Sequence, residues 1–204
     1  MNNVHKIVVI PNFIDSDVLH EIAELLSEVK ITHLNTMLDG GIERASSVYH
    51  DQTNRHIKLP SGTIDHSDND ALYKTLDGQV PRIKEEIERS FLLEVHPESR
   101  YSVTVYVEGT ELPEHFDRAE LVAGPTPNGY PHRDISSVLY LNDDFVGGVF
   151  SFDIQGIRFI PKAGTLILFP GTRPFTHSVS VLESGLRYVV PQFWAIKTSD
   201  DRMD

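Results

Sequence analysis

Three copies of the pattern His-x-Asp have the residue types and spacing to bind a metal ion. They are HSD at residues 66–68, HFD at 115–117 and HRD at 132–134. On a β-strand, residues i and i+2 point to the same face, so each pair can offer an imidazole and a carboxylate to one ion. With one more histidine from another strand, the three ligands would form the facial triad that suits non-haem Fe(II).

The surroundings of the three pairs favour the second one. The first pair lies in a polar segment, where its aspartate most simply caps the helix that follows. The third pair comes after the turn-rich segment AGPTPNGYP, and its simplest interpretation is a solvent-facing pair at the start of a strand. His115 and Asp117 come one short turn after the strand-like segment YSVTVYVEG, so we expect them on the next element of a sheet.

The remaining histidines supply the candidates for a third ligand. They are His5, His20, His33, His50, His56, His96 and His177. His20 falls on a predicted helix and His96 follows another, where solvated or helix-end histidines are the expected interpretation. His177 lies in the late strand-like segment RPFTHSVSV, which makes it the leading candidate.

Arg187 follows His177 after ten residues and a turn at Gly185. Two neighbouring antiparallel strands would bring this arginine back near the histidine, and we expect both side chains to point into one cavity. An arginine buried there needs an anionic partner, because an unpaired buried charge is costly. The alternative is a structural ion pair with one of the 30 acidic side chains.

The composition limits the chemistry further. The 204 residues include no Cys, so any metal must be held by histidine and carboxylate. Eighteen basic side chains against 30 acidic ones give a formal charge of -12, which disfavours nucleic acid as a partner. No apolar run reaches about 18 residues and no signal peptide is evident, so we expect no membrane partner and a cytoplasmic location.

The N-terminal half is predicted to contain a strand, helices and a long loop. Residues 6–13 are typical of a strand, and the apolar spacing that follows indicates an amphipathic helix capped by Asp15 or Ser16. Residues 69–76 and 80–93 indicate two more helices, with Pro81 suited to a first turn. The polar residues 32–70 between them predict a long loop, often a lid, which with residues 118–132 would form the substrate entrance.

The C-terminal half changes to a period of two and to β-branched and aromatic residues. Eight short strands are predicted, and this number suits a jelly roll. Their segments are YSVTVYVEG, ELPEHFD, ISSVLYLN, GGVFSFDIQ, IRFIPKA, TLILFPG, THSVSVL and LRYVVPQFWAI. The expected fold is therefore α+β and mainly β: a double-stranded β-helix (residues 101–196) with N-terminal helices (within 1–100) packed on one sheet, in a single domain over 1–204.

From Tyr101 to Trp194 the chain resembles the Fe(II)/2-oxoglutarate dioxygenases of the prolyl hydroxylase type. The segments that carry the resemblance are YSVTVYVEGTELPEHFD, RDISSVLYLNDDFVGGVFSF, PKAGTLILFPG and THSVSVLESGLRYVVPQFW, in one order. The second of them is especially similar to the prolyl 3-hydroxylase branch, in which its RD dipeptide begins the strand that follows the ligands. The resemblance therefore implies that the pair at residues 132–134 is not the metal site.

The same resemblance implies a role for each site residue. His115, Asp117 and His177 would bind Fe(II), and Arg187 would receive the far carboxylate of the co-substrate 2-oxoglutarate. Tyr140 would donate a hydrogen bond to that carboxylate, and Tyr106 would line the site near the iron, while ascorbate is a candidate additional cofactor. The spacing from the arginine to the final tryptophan is one residue longer than in the family, so Phe193 rather than Trp194 is expected in the inward position.

The activity that the resemblance implies is hydroxylation of an unactivated C–H bond with O2, with release of succinate and CO2. The substrate would be a prolyl residue or a related amino acid, free or in a peptide, or a natural-product intermediate. Asp117 favours hydroxylation over halogenation, because the related halogenases have a small residue at that position. The alternative hypothesis is a non-catalytic or Zn-binding, cupin-like jelly roll that binds a small molecule. The sequence does not indicate an oligomeric state.

Overall fold

The computed structural model describes residues 5–39, 46–50, 56–64, 70–118 and 132–198. These residues include the helices α1 (Ser16–Asp39), α2 (Asp70–Asp77) and α3 (Val80–Phe91). They also include the strands β1 (Val8–Ile10), β2 (Ser46–His50), β3 (His56–Ile64), β4 (Val95–Pro97), β5 (Val103–Tyr106), β6 (Leu112–His115), β7 (Ile135–Tyr140), β8 (Val146–Gly147), β9 (Phe150–Phe152), β10 (Ile157–Phe159), β11 (Leu166–Pro170), β12 (His177–Val179), β13 (Leu182–Ser184) and β14 (Arg187–Ile196).

The strands form two larger antiparallel sheets. The main sheet has the order β1-β11-β7-β14-β5-β3-β2, and β4 also pairs with β14. The second sheet has the order β10-β9-β12-β6, while β8 and β13 form a two-stranded ribbon. Side chains of the main and second sheets share one buried cluster, here called the inner core. The predicted double-stranded β-helix, in a mainly β fold, is confirmed.

The main sheet is buried on both faces. On β14, Tyr188 and Val190 pack with side chains of the helices, in what we call the outer core. Val189, between them, belongs to the inner core. Successive side chains of a strand point to opposite faces, so a strand with a core on each side is apolar throughout. The sequence of β11, LILFP, is buried along its whole length for this reason.

The helices cover the outer face as predicted. On α3, Ile83, Ile87 and Phe91 are buried in the outer core, and a proline stands in the first turn. Leu92 ends this helix in a left-handed conformation, with its backbone N–H donated to Glu88 O at 3.0 Å. None of the described helices is both long and apolar enough to span a bilayer.

The predicted loop over residues 32–70 is wrong for the part that the structure describes. Helix α1 continues to Asp39, and β2 and β3 form an antiparallel hairpin whose second strand pairs with β5, from Ser61 opposite Tyr106 to Ile64 opposite Val103. This pairing joins residues about 40 positions apart, so it leaves no local periodicity in the sequence. Residues 40–45, 51–55 and 65–69 lie outside the described residues, as does 119–131 of the second predicted entrance segment.

Candidate functional site

The second sheet places two histidines directly opposite each other. His115 is the last residue of β6 and His177 the first residue of β12, and the two are cross-strand partners. Asp117 follows β6 by two residues, and its side chain is 6% exposed. One ligand atom of each of these three residues lies within 4.8 Å of the others, and no other such group of acidic and histidine side chains occurs in the described part of the chain.

The carboxylate lies between the two rings. Asp117 Oδ1 is 3.8 Å from His115 Nε2, and Oδ2 is 3.8 Å from His177 Nε2. The ring centroids of the histidines are 4.2 Å apart at an interplanar angle of 56°. Two imidazole nitrogens and one carboxylate oxygen converging from one side are the donor set of the facial triad, which suits Fe(II).

Backbone carbonyls set the tautomer of both histidines. Nδ1 of His115 contacts Pro113 O at 2.7 Å, and Nδ1 of His177 contacts Phe175 O at 3.2 Å. A carbonyl can only accept, so each Nδ1 carries the proton and each Nε2 presents a lone pair. Burial lowers the pKa of His115 to about 4, and the neighbouring His177 acts in the same direction. His115 is therefore neutral at pH 7, as a metal ligand must be.

Aromatic rings surround the histidine pair on the inner side. Phe150 stacks on His177 at a centroid distance of 5.4 Å and an angle of 8°, and the edge-on ring of Phe169 lies at 4.7 Å. Phe152 completes the group at 5.7 Å. These rings keep water from this side of the site, and a dry site strengthens its electrostatic interactions.

Arg187 borders the same core, and no carboxylate of the described residues forms an ion pair with it. It is 4% exposed, and among the described residues its Nε has no hydrogen-bond partner. Its guanidinium carbon is 4.3 Å from the ring centroid of Tyr106, its cross-strand partner, and 5.7 Å from that of Tyr140. The structural ion pair that the sequence left open is therefore not observed within the described part of the chain.

The two tyrosines stay protonated around this arginine. Burial raises the pKa of both Tyr106 and Tyr140, although the positive charge of Arg187 opposes the shift. Asp117 raises the pKa of Tyr106 further, so this ring lies within the electrostatic reach of both the histidine–aspartate cluster and the arginine. The Tyr140 hydroxyl is fully buried and, within the described residues, has no hydrogen-bond partner. A buried cation and a buried donor with unmet capacity fit an anionic ligand such as a carboxylate.

The prediction that His177 and Arg187 lie on two neighbouring antiparallel strands is wrong. β12 lies in the second sheet beside β6 and β9, whereas β14 lies in the main sheet. The residues between them form β13, which pairs with β8, and a turn at Gly185 with φ of +86°, so the chain crosses from one sheet to the other. Both side chains nevertheless border the inner core, whose rings contact His177 on one sheet and Arg187 on the other.

The structure separates the third His-x-Asp pair from the cluster. His132 is exposed, and Asp134 forms an ion pair with Arg118 at 2.8 Å. Asp134 also accepts the backbone N–H of Ile196 at 2.9 Å, which fixes the start of β7 against the end of β14. The aspartate of this pair thus has a structural role. The first pair, at residues 66–68, lies outside the described residues.

The two aromatic residues near the end of β14 point to opposite faces. Trp194 is fully buried in the outer core, and its Nε1–H donates to Ser137 Oγ at 2.9 Å. Phe193 alternates with it, and the guanidinium carbon of Arg133 lies 3.6 Å above its ring. By strand alternation Phe193 shares the face of Arg187, which agrees with the inward position expected for it.

Two polar contacts near the site were not predicted from the sequence. Ser136 on β7 donates its hydroxyl to Asp117 Oδ2 at 2.7 Å. Asn142, just beyond β7, bonds the backbone on both sides of Arg187. The only local signal was the similarity of the segment RDISSVLYLN to the family strand, which indicates a strand and no partner for either side chain.

Comparison with known proteins finds a similar family over the C-terminal half of the chain. The family model of the 2OG-Fe(II) oxygenase superfamily matches residues 101–195. Prolyl 3-hydroxylase 2 of Homo sapiens is 33% identical over 75 residues, which cover 34% of this chain and 11% of that protein. The protein of the same name from Rattus norvegicus gives the same values. The matched part thus spans about a tenth of the length of these curated relatives.

Solved structures of prolyl hydroxylases share the fold. A prolyl hydroxylase from Trichoplax adhaerens, in complex with a hypoxia inducible factor peptide fragment, has a TM-score of 0.64 at 17% identity, covering 95% of this chain and 84% of that one. A Pseudomonas putida prolyl-4-hydroxylase has a TM-score of 0.58 at 17% identity, with coverages of 95% and 94%. Residues 101–195, a little under half of the chain, therefore match the 2OG-Fe(II) oxygenase superfamily, the family whose prolyl hydroxylase type its motifs resemble.

Proposed function

We propose that the protein is an Fe(II)- and 2-oxoglutarate-dependent hydroxylase of an unactivated C–H bond, with succinate and CO2 as co-products. The observation that carries the proposal is the arrangement around the inner core. A buried histidine–aspartate–histidine cluster borders it on one side, and a buried Arg187 without a carboxylate partner among the described residues borders it on the other.

His115, Asp117 and His177 would hold the iron in this proposal. Both imidazoles are oriented by backbone carbonyls, and Asp117 is oriented by Ser136, so little reorganisation is needed on binding. Three protein ligands leave coordination positions open for a chelating co-substrate and for O2. When bound, Fe(II) would supply the activation of O2 that couples oxidative decarboxylation of 2-oxoglutarate to hydroxylation, with one oxygen atom entering each product.

Arg187 would orient the co-substrate. Its guanidinium can form charge-assisted hydrogen bonds with the far carboxylate of 2-oxoglutarate, and the protonated Tyr140 hydroxyl would add a neutral donor. The ring of Tyr106 lies against the guanidinium and limits its movement. The phenylalanines around His177 would exclude water from the reacting end of the co-substrate.

We propose a prolyl residue in a peptide as the substrate. Its support is the names of the similar proteins: prolyl 3-hydroxylase 2 over the matched segment, and two prolyl hydroxylase structures, one of them bound to a peptide fragment. A free amino acid or a natural-product intermediate is the alternative in the same reaction. Ascorbate would serve, where needed, to keep the iron reduced.

Anaerobic addition of Fe(II) and 2-oxoglutarate tests the proposal. A visible charge-transfer band is expected, and on admission of O2 the protein should form succinate. Proline-containing peptides and free amino acids are then searched by mass spectrometry for a product heavier by about 16 Da, the mass of one oxygen atom. A protein that gives neither the band nor succinate, and binds Zn(II) or a small molecule without turnover, would instead be the non-catalytic jelly roll.

A further inference from the structure

We propose that strand β7 positions both halves of this site through two side chains of its own segment. Ser136, the second residue of the strand, would hold the carboxylate of Asp117. Asn142, two residues beyond its end, would hold the backbone that carries Arg187. The inference rests on the proposed function, since it assigns the first contact to metal binding and the second to 2-oxoglutarate binding.

Ser136 bridges the two sheets at the metal cluster. Its side chain is on an interior strand of the main sheet, is 1% exposed, and reaches Asp117, which follows the edge strand of the second sheet. Its neighbours on both sides are the bulky rings of Phe169 and Phe193, which leave the hydroxyl few other directions. The 2.7 Å bond to Oδ2 keeps the carboxylate from rotating and leaves Oδ1 as the more basic oxygen for an ion.

This contact sets the binding mode of the carboxylate. With one oxygen engaged by a hydroxyl, Asp117 would bind the metal through a single oxygen and leave the remaining positions open. Partners that orient metal ligands in this way change metal affinity by about 10- to 100-fold when removed. Ser137, the next residue, provides a matched comparison, because its hydroxyl faces the outer core and donates to Gln192 O at 3.1 Å.

Asn142 extends the sheet beyond the last residue of β7. The register between β7 and β14 ends at Tyr140 opposite Val189, and Leu141 N–H still donates to Tyr188 O at 3.0 Å. At the next position the side chain of Asn142 forms the hydrogen bonds that a strand backbone would otherwise form. Its Nδ2 donates to Leu186 O at 2.7 Å, and its Oδ1 accepts Tyr188 N–H at 2.7 Å.

These two bonds bracket Arg187. They fix the peptide units on either side of the arginine, at the point where the chain has just crossed between the sheets. The preceding turn is tight, because a Cβ on Gly185 would lie 2.9 Å from Asp144 O. Asn142 therefore determines where the guanidinium enters the inner core, and a pre-oriented group binds its partner at a lower cost in conformational entropy.

The first experiment measures metal affinity without 2-oxoglutarate. Mn(II), which takes nitrogen and oxygen ligands, is titrated into the wild type, Ser136→Ala, Ser136→Thr and Ser137→Ala, with free Mn(II) followed by electron paramagnetic resonance. Ser136→Ala should weaken binding about tenfold. Ser136→Thr, which keeps the hydroxyl, should bind more tightly than Ser136→Ala, and Ser137→Ala should match the wild type.

The second experiment measures 2-oxoglutarate affinity by calorimetry at saturating Mn(II). Asn142→Ala should weaken 2-oxoglutarate binding about tenfold, because it removes the two hydrogen bonds that flank Arg187, and it also removes a third to Asp144 Oδ1; Mn(II) affinity should be unchanged. Asn142→Ser, which keeps a short polar side chain without placing a second carboxylate beside Asp144, is the second variant in case the alanine protein does not fold, and its 2-oxoglutarate affinity should fall between those of the wild type and the alanine variant. Ser136→Ala should have the smaller effect in this experiment.

The outcomes separate the inference from the function on which it rests. If the wild type binds neither Mn(II) nor 2-oxoglutarate, the proposed function fails. If the wild type binds both and Ser136→Ala has wild-type Mn(II) affinity, or Asn142→Ala has wild-type 2-oxoglutarate affinity, the positioning role of that residue is wrong. Equal losses of both affinities in both variants would indicate general destabilisation and would overturn the inference as a whole.

Discussion

The two faces of the main sheet are both buried, yet the polar atoms of three aromatic residues and one arginine on them differ in their hydrogen bonding. On the outer face, the Tyr101 hydroxyl donates to Asp77 at 2.6 Å and the Trp194 ring N–H donates to Ser137. On the inner face, the Tyr140 hydroxyl and Arg187 Nε have no hydrogen-bond partner among the described residues.

A buried polar group without a partner costs about 1–3 kcal/mol. The outer face avoids this cost at Tyr101 and Trp194, which therefore contribute to stability, although Gln192 Oε1 on that face has no hydrogen-bond partner among the described residues. On the inner face the unpartnered donors lower stability, and a bound ligand can accept hydrogen bonds from them. One sheet therefore divides two tasks: Tyr101 and Trp194 on its outer face should control unfolding, and Arg187 and Tyr140 on its inner face should control ligand affinity.

The largest effect is expected from the metal cluster on the inner side. His115→Ala or Asp117→Ala should lower succinate formation by at least about 1000-fold, because the loss of a ligand removes the ion that activates O2. The melting temperature of the metal-free protein should stay near that of the wild type. Mass spectrometry measures the loss of metal, and thermal unfolding measures the melting temperature. A fall in melting temperature as large as that of a core variant would contradict the assignment of ligand binding to the inner face and stability to the outer face.

Trp194→Ala tests the opposite face. Removal of this fully buried ring should lower the free energy of unfolding by about 3–5 kcal/mol, because it leaves a cavity in the outer core. The protein that remains folded should bind Mn(II) and 2-oxoglutarate as the wild type does. Urea unfolding and calorimetry measure the two quantities, and a large loss of ligand affinity with unchanged stability would contradict the division.

Arg187→Ala should weaken the binding of 2-oxoglutarate and leave metal binding unchanged. The KM for 2-oxoglutarate should rise about 100-fold, as expected for the loss of a bidentate, charge-assisted contact in a buried site. Mn(II) affinity should not change. Arg82→Ala is the control, because that arginine lies on α3 with Asp15 and Gln79 as partners, and its removal should leave this KM as it is.

The smallest effects are expected from removing one tyrosine hydroxyl on each face of the main sheet. Tyr140→Phe should raise the KM for 2-oxoglutarate about fivefold and leave stability equal or slightly higher, because it removes a hydroxyl whose hydrogen bonds are unmet. Tyr101→Phe, the matched change on the outer face, should lower the free energy of unfolding by about 1 kcal/mol and leave the KM unchanged. Equal behaviour of the two variants would show that the faces do not differ.

Much of the fold could be predicted from the sequence, because burial of one or both faces of a strand gives a recognisable pattern of apolar residues. All eight segments predicted as strands between Tyr101 and Ile196 contain a strand in the structure. The failures lie where long-range pairing decides. β3 forms because it pairs with β5, and the path from His177 to Arg187 crosses between sheets at β13, although ten residues and a glycine would equally suit a hairpin.

The candidate site was predictable only in part, for a related physical reason. The pairing of His115 with His177 joins residues 62 positions apart, so spacing and context made them only the leading candidates, and the family resemblance settled the choice. Ser136 and Asn142 could not be assigned, since the hydrogen bonds that connect them to the site reach partners 19 and more than 40 residues away, and a serine or asparagine has no preferred partner type. The roles of the site residues stay predictions until they are measured.

The alternation along β7 and β14 also has a genetic consequence. On β14 the odd positions from Arg187 to Phe193 face the inner side, and the even positions from Tyr188 to Trp194 face the helices. Adjacent codons can therefore differ in phenotype: changes at Tyr188 or Trp194 would lower abundance in the cell, and changes at Arg187 would affect catalysis at normal abundance. Because the two sets are interleaved and physically separated by the sheet, selection can alter ligand affinity on this strand with little change in expression.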